Sequence, residues 1–177
     1  SAASDVYKRQ IWISPFFKSP QKDFGYDVSD YYNINPEYGT LEDFELLINK
    51  AHNLTLKVML DIVPAHCSSE HPWFVESRSS TTNPKSDWFH WAEPQEDGSA
   101  PTNWLSFFGG QAWTWEPRRQ QYYLHNFLPE QPNLNYANPA VLEEFNQIAK
   151  FWFDRGVDGF RLDAVHTINA DSFPYKD

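Results

Sequence analysis

Arg161, Leu162 and Asp163, inside Gly-Phe-Arg-Leu-Asp-Ala-Val-His, set a guanidinium two residues from a carboxylate. In an extended strand positions i and i+2 project to one face, so Arg161 and Asp163 point together while Phe160 and Leu162 pack on the other side. A guanidinium beside a carboxylate favours the ionised form. An aspartate that is always charged and rigidly aimed suits a nucleophile or an electrostatic stabiliser, and does not suit a proton donor. An isolated Arg-x-Asp reads as a structural ion pair at a strand end. What argues for chemistry here is the company it keeps: Asp61 near the end of an apolar run, and Asp27 and His66 in loops.

Those residues need elements to position them. Ile11–Ile13 reads as a short strand ending at Ser14-Pro15, followed by a polar loop carrying Asp23-Phe24-Gly25-Tyr26-Asp27. Thr40 and Asp43 have the spacing of a capping box, and Leu41, Phe44, Leu47, Ile48 and Ala51 form the apolar stripe of the helix it opens. Leu56–Val63 is nearly continuous hydrophobic sequence, as in a strand buried on both faces, and Pro64 closes it. Asn138 as cap and Pro139 at the first helical position open another helix, with Val141, Phe145, Ile148 and Trp152 facing the core and Gly156 ending it. Val157–Asp163 is the next strand. Between residues 65 and 131 the chain is rich in Pro, Ser, Asn, Trp and Gly with no strong helical period. A structureless loop of that length is improbable, so this stretch is expected to be a small subdomain.

Strand, helix, strand, insert, helix, strand predicts an α/β fold with a parallel sheet, open or closed, and function at the C-terminal strand ends. Asp61, Asp163, Asp27 and His66 would converge on that rim. The expected organisation is residues 1–10 foreign to the fold or disordered, 11–63 and 132–177 as barrel parts, and 64–131 as the inserted domain. Both termini read as cut.

Composition narrows the function classes. Acidic residues outnumber basic ones 24 to 14, for a net charge of −10, and Lys and Arg are scattered, which argues against a nucleic-acid or anionic-membrane partner. No apolar run approaches the length of a membrane span. The single Cys67 excludes an internal disulfide and supplies no metal cluster, and it reads as an inert small residue. Aromatics make up 18% of the chain. Many sit among Asn, Pro and Gly, as expected where flat rings line a sugar-binding groove. Trp73, Trp88, Trp91, Trp104, Trp113 and Trp115 are read first as the core of the inserted domain, with His125 in the same structural class. The compartment is left open, with the cytoplasm favoured.

Several segments together resemble the alpha-amylase superfamily of glycoside hydrolases, in its alpha-glucosidase and oligo-1,6-glucosidase branch. Ile-Trp-Ile-Ser-Pro-Phe at 11–16 is similar to the second barrel strand, and Gly25-Tyr26-Asp27 with Ser29-Asp30-Tyr31 to the loop closing the glucose pocket. Asp61-Ile62-Val63-Pro64-Ala65-His66 resembles the third-strand motif, Gln131-Pro132-Asn133-Leu134-Asn135 the end of the inserted domain, and Gly159–His166 the fourth-strand motif. The resemblance covers about residues 11–177. It implies a fragment of a TIM-type β/α barrel, about strands 2–4, with a small domain inserted between strand 3 and helix 3. A complete barrel takes about 250 residues.

The resemblance also implies roles. Asp163 is the nucleophile that forms a covalent glucosyl ester, and Arg161 orients it. His66 hydrogen-bonds the hydroxymethyl side of the bound glucose, Asp27 binds its hydroxyls, and Tyr26 stacks on its ring. Phe127 walls the pocket and Asp61 braces Arg161. Alone, His66 reads as a satisfied histidine, Tyr26 as surface packing and Asp61 as a structural acceptor. Retaining hydrolysis also needs a proton donor. In the family that donor is a glutamate after the fifth strand, with a His-Asp pair after the seventh, and the chain ends before either. The parent is therefore expected to hydrolyse alpha-glucosides with retention, acting on a small oligosaccharide without cofactor, while the 177 residues alone are inactive.

Ala164, next to the nucleophile, leans toward alpha-1,4 substrates such as maltose, since the family often has Val there when alpha-1,6 bonds are preferred. Ala65 replaces an Asn that helps bind calcium in amylases, so no metal is expected there. Asn133 stands where the branch usually has Asp, and Glu116-Pro117-Arg118-Arg119 departs from the commoner turn. The competing readings are a trehalose synthase-type glucosyltransferase, a non-catalytic ectodomain like those of amino-acid-transporter heavy chains, and a carbohydrate-binding module. The last does not account for carboxylates at strand ends.

Overall fold

The computed structural model describes residues 9–168. A three-stranded parallel sheet is its frame: β1 (Gln10–Ile13), β4 (Lys57–Ile62) and β8 (Gly159–Leu162), in the order β1-β4-β8. Between β1 and β4 come an antiparallel pair, β2 (Phe17–Lys18) and β3 (Asp30–Ile34), and helix α1 (Leu41–Asn53). Between β4 and β8 come α2 (Pro72–Ser77), the strands β5 (Trp91–Ala92), β6 (Trp113–Glu116) and β7 (Gln121–Leu124), and helix α3 (Pro139–Phe153). The three short strands form their own antiparallel sheet, ordered β5-β7-β6. A 3-10 turn, Val165–Thr167, follows β8.

Both long helices start as their sequences dictate. Thr40 accepts from the Asp43 backbone, and the Asp43 carboxylate accepts from the Thr40 backbone N–H at 2.9 Å, a complete capping box. Asn138 accepts from the Ala140 N–H at 2.9 Å ahead of Pro139. The expected face of α3 is buried in full: Val141, Phe145, Ile148 and Trp152. Trp152 is the centre of the core, in ring contact with Phe16, Phe17 and Phe44, and its indole N–H donates to the Tyr31 carbonyl at 2.9 Å. Tyr31 in turn donates toward the carbonyls of Val63 (2.8 Å) and His66 (2.9 Å), tying the β2–β3 pair to the exit of β4.

Several expectations need correcting. β1 begins at Gln10, inside the segment set aside, and Gln10 pairs with Lys57. Leu47 is 40% exposed: α1 buries only Phe44, Ile48 and Ala51. β8 ends at Leu162, so Asp163 lies in the turn beyond it, although its N–H still donates to the Ile62 carbonyl at 2.9 Å. Leu162 does not pack on the opposite face but is 54% exposed, and Trp12 on β1 is exposed to a similar degree. Within the 64–131 stretch, α2 is a helix that the sequence pattern did not announce, capped by His71, whose Nδ1 accepts from the Trp73 N–H. The tryptophans do not share one local core. Trp73 and Trp88 join the main core, Trp113 anchors a small separate cluster with Ala100, Ala112 and Leu124, and Trp104 and Trp115 are exposed. Trp91 stacks with the Phe74 ring, and the Arg119 guanidinium lies over it. The C-terminal end, read as cut, lies outside the described residues.

Candidate active site

Asp61 and Arg161 are register partners on β4 and β8, and partners in a parallel pair project to the same face. Arg161 Nη1 donates to both oxygens of Asp61, at 3.0 and 2.8 Å, and lies 2.6 Å from Asp163 Oδ1. One guanidinium nitrogen thus joins the two carboxylates. Asp61 is completely buried, the Asp163 side chain is 18% exposed and that of Arg161 is 44% exposed. Burial pushes the Asp61 carboxyl above its usual range while Arg161 pulls against that rise. Burial works against the Arg161 charge, but the neighbouring charges of Asp61 and Asp163 prevail and raise its pKa. Both Asp61 oxygens are thus committed to Arg161.

The loop after β1 is knotted around Asp27. That carboxylate is fully buried and accepts from Ser19 Oγ (2.9 Å) and the backbone N–H groups of Lys22 (2.9 Å) and Asp23 (3.0 Å). Gln21, Phe24 and Gly25 have positive φ, and a Cβ on Gly25 would sit 2.7 Å from the Pro15 carbonyl oxygen. Asp27, expected to bind sugar hydroxyls, is engaged inside the loop and stands outside the cavity lining, and Asp23 is the carboxylate the loop presents to the cavity. Tyr26, on the same cavity, directs its hydroxyl toward Asp61 Oδ2 at 3.4 Å.

His66 is buried, with Nε2 3.1 Å from the Tyr26 carbonyl and 3.1 Å from Gln131 Nε2, and Nδ1 without a partner. Burial pushes its pKa down to about 4, so the ring is neutral at neutral pH. Phe127 is in ring contact with His66, Phe107 and Phe108. Its carbonyl is held by Ser106 Oγ (2.6 Å) and His125 Nδ1 (3.0 Å). His125 is thus a support for the wall, and Thr114 bonds its other nitrogen.

Asp23, Tyr26, His66, Phe108, Phe127 and Asp163 line an open cavity of about 240 Å³. Of the residues expected from sequence, Tyr26, His66, Phe127 and Asp163 line it, while Asp61, Arg161 and Asp27 stand outside its lining. Asp23, Phe108 and Gln131 were missed. Phe108 had a signal, an aromatic pair before Gly109-Gly110, two glycines with positive φ that let the loop fold back. A larger groove of about 420 Å³ lies elsewhere, and its one carboxylate, Asp43, is taken by the α1 cap. Among the described residues no cluster of three or more His, Cys, Asp or Glu side chains is placed to hold a metal, and no helix is long and apolar enough to cross a membrane.

An aimed carboxylate, a second one with a neutral imidazole, and aromatic walls can seat one polar ring with apolar faces beside a nucleophile. A parallel β/α sheet that gathers such groups at its C-terminal strand ends defines a site of the β/α-barrel type. The chain belongs to the alpha-amylase family: the model of the alpha-amylase catalytic domain matches residues 5–177. It is 60% identical over 156 residues to a "Probable alpha-glucosidase" of Rhizobium meliloti (strain 1021), covering 88% of this chain and 28% of that protein. It is 50% identical over 165 residues to a trehalose-6-phosphate hydrolase of Bacillus subtilis (strain 168), covering 93% of this chain and 29% of that protein. Among solved structures it is similar to the alpha-glucosyl transfer enzyme XgtA, with 56% identity and a TM-score of 0.89 over 94% of this chain and 32% of that one. The chain thus spans under a third of the length of these relatives.

Proposed function

We propose that the chain is the nucleophile-bearing part of a retaining alpha-glucosidase, spanning about strands 2–4 of the barrel with a small domain inserted after the third. Asp163 attacks the anomeric carbon and forms a glucosyl ester, and Arg161, 2.6 Å away, directs it. Asp23 and His66 bind hydroxyls of the glucose ring, while Tyr26, Phe108 and Phe127 pack against its C–H faces. The proton donor is supplied by the remainder of the barrel: the lining carboxylates are Asp23 and Asp163 alone among the described residues, and Asp23 is bound to Gln131. The observation that carries the reading is Asp163 on a cavity wall, 2.6 Å from Arg161, opposite Asp23 and His66. The linkage is alpha-1,4 by preference. Support for that is Ala164 beside Asp163, whose small side chain leaves room next to the acceptor sugar.

The relative named for glucosyl transfer favours a second reading, in which the same ester passes to a sugar instead of water. Both share the first step. The test is incubation of the whole enzyme with a 5-fluoro-glucosyl fluoride, which slows ester breakdown, followed by peptide mass spectrometry. A label on Asp163 is expected. No label, or one on another residue, overturns the assignment. The 177 residues alone are expected to give no turnover of 4-nitrophenyl alpha-glucoside.

A further inference from the structure

We infer that Gln131, which does not line the cavity, is the positioning residue that sets Asp23 and His66 in register with each other. Its amide is completely buried. The orientation of the amide is fixed by the Leu128 N–H, which donates to Gln131 Oε1 at 3.0 Å, so the NH2 group must face the other way. There Nε2 lies 2.8 Å from Asp23 Oδ2 and 3.1 Å from His66 Nε2. An NH2 group has two hydrogens, and here each has an acceptor, one from the loop after β1 and one from the loop after β4. No backbone bond links Asp23 to His66. Gln131, arriving from the far end of the 64–131 stretch, joins their two side chains through one amide.

A carboxylate and an imidazole that both bind hydroxyls of one sugar must keep a fixed separation, since a rigid ring cannot follow them apart. The amide achieves this without adding charge. It leaves the other Asp23 oxygen available to the cavity and gives neutral His66 a donor at Nε2. His66 Nε2 also faces the Tyr26 carbonyl, and one nitrogen cannot accept from Gln131 and donate to Tyr26 at once. With the amide orientation fixed by Leu128, accepting from Gln131 puts the His66 proton on Nδ1. That state sets two acceptors, Nε2 and the Tyr26 carbonyl, 3.1 Å apart, and leaves Nδ1, which has no partner among the described residues, to donate to a hydroxyl in the cavity that His66 lines.

This inference rests on the proposed function for its catalytic meaning, but its geometry can be read without any sugar. In the whole protein labelled with 15N, His66 is expected as the neutral Nδ1–H tautomer, and its Nε2 resonance shifts in both Gln131→Met and Gln131→Glu. Met keeps the volume and removes the donors, while Glu keeps the shape and faces Asp23 with a like charge. An Nε2–H tautomer in the native protein, or an Nε2 resonance that neither variant moves, overturns the inference. With 4-nitrophenyl alpha-glucoside, both variants are expected to raise KM by roughly tenfold or more, with a smaller change in kcat, as fits loss of a charge-assisted hydrogen bond to a binding group. A merely structural glutamine would lower the melting temperature and leave KM and the His66 resonance in place. If the native enzyme turns over no glucoside, the functional reading falls, and the tautomer measurement still decides the role of Gln131.

Discussion

Asp61 and Arg161 face each other across the β4–β8 ladder, and both oxygens of the buried carboxylate are taken by a single guanidinium nitrogen that also touches Asp163. The Asp163 carboxylate is therefore aimed from the neighbouring strand. Lysine at 161 would bring one point charge in place of a planar fork. Arg161→Lys is expected to lower kcat by about a hundredfold through misdirection of Asp163, with KM little changed. Arg161→Ala additionally leaves Asp61 as an unpaired buried charge. Its cost in stability is expected to be about 2 kcal/mol, less than for a fully buried pair because the guanidinium is partly in water. Steady-state kinetics and urea unfolding read the two effects separately, and an Arg161→Lys enzyme with native kcat would remove Arg161 from the mechanism.

Asp23 and Asp27 make a second pair of outcomes that differ in kind. Asp27 organises its loop from within, so Asp27→Ala removes three hydrogen bonds to a buried carboxylate and is expected to lower both stability and sugar affinity. Asp23→Ala takes away a cavity wall group and is expected to raise KM strongly with a small change in melting temperature. Melting temperature and KM measured on both variants decide this. Equal melting temperatures with a KM effect confined to Asp27→Ala would restore Asp27 as the sugar-binding group.

The two aspartates also mark how far the sequence could be read. Elements governed by regular periods were legible: the Thr40–Asp43 box, the Asn138-Pro139 start, the buried face of α3, and the parallel strands that carry Asp61 and Arg161. In those elements, side-chain direction follows from position number. Between Ser14 and Asp27 it does not, because positive φ at Gln21, Phe24 and Gly25 turns the chain against any alternation, and that turn decides which aspartate looks outward. Gln131 was quoted only as part of a motif, since a fully buried amide acquires its meaning here from two partners on distant segments, Asp23 and His66. Leu47 and Leu162 were misjudged for a related reason. Apolar spacing says which residues want cover, and among the described residues nothing supplies it.

Gly25 is the hinge of that irregular loop. Its φ of +97° is costly for any L side chain, and an added Cβ would meet the Pro15 carbonyl at 2.7 Å, where backbone cannot yield cheaply. Gly25→Ala is expected to cost about 2 kcal/mol and to displace its neighbours Asp23 and Tyr26, raising KM more than the stability loss alone explains. Native KM in a folded Gly25→Ala enzyme would show that the loop tolerates a different path.

The buried histidines give the protein a predictable acid response. Burial lowers the pKa of His66 to about 4, His90 to about 4 and His71 to about 3, and lowers that of His125 as well. Each is depressed from the free value of 6.5, so as pH falls the unfolded chain takes up these protons first. Their contribution to stability is fully present above pH 6.5 and is lost as pH falls toward the folded values near 4 and 3. Each group adds a slope of at most about 1.4 kcal/mol per pH unit in that window, above the range where most carboxylates titrate. The urea midpoint is therefore expected to fall steeply from about pH 6.5 to about 4.5. His71→Asn provides the control, because Asn preserves the cap on α2 while removing one titrating ring. It is expected to flatten the slope by roughly a quarter and leave the midpoint above pH 7 nearly unchanged. A midpoint that stays level across this window would mean that the rings are solvated and that the core around Trp73 and Phe89 is looser than their burial describes.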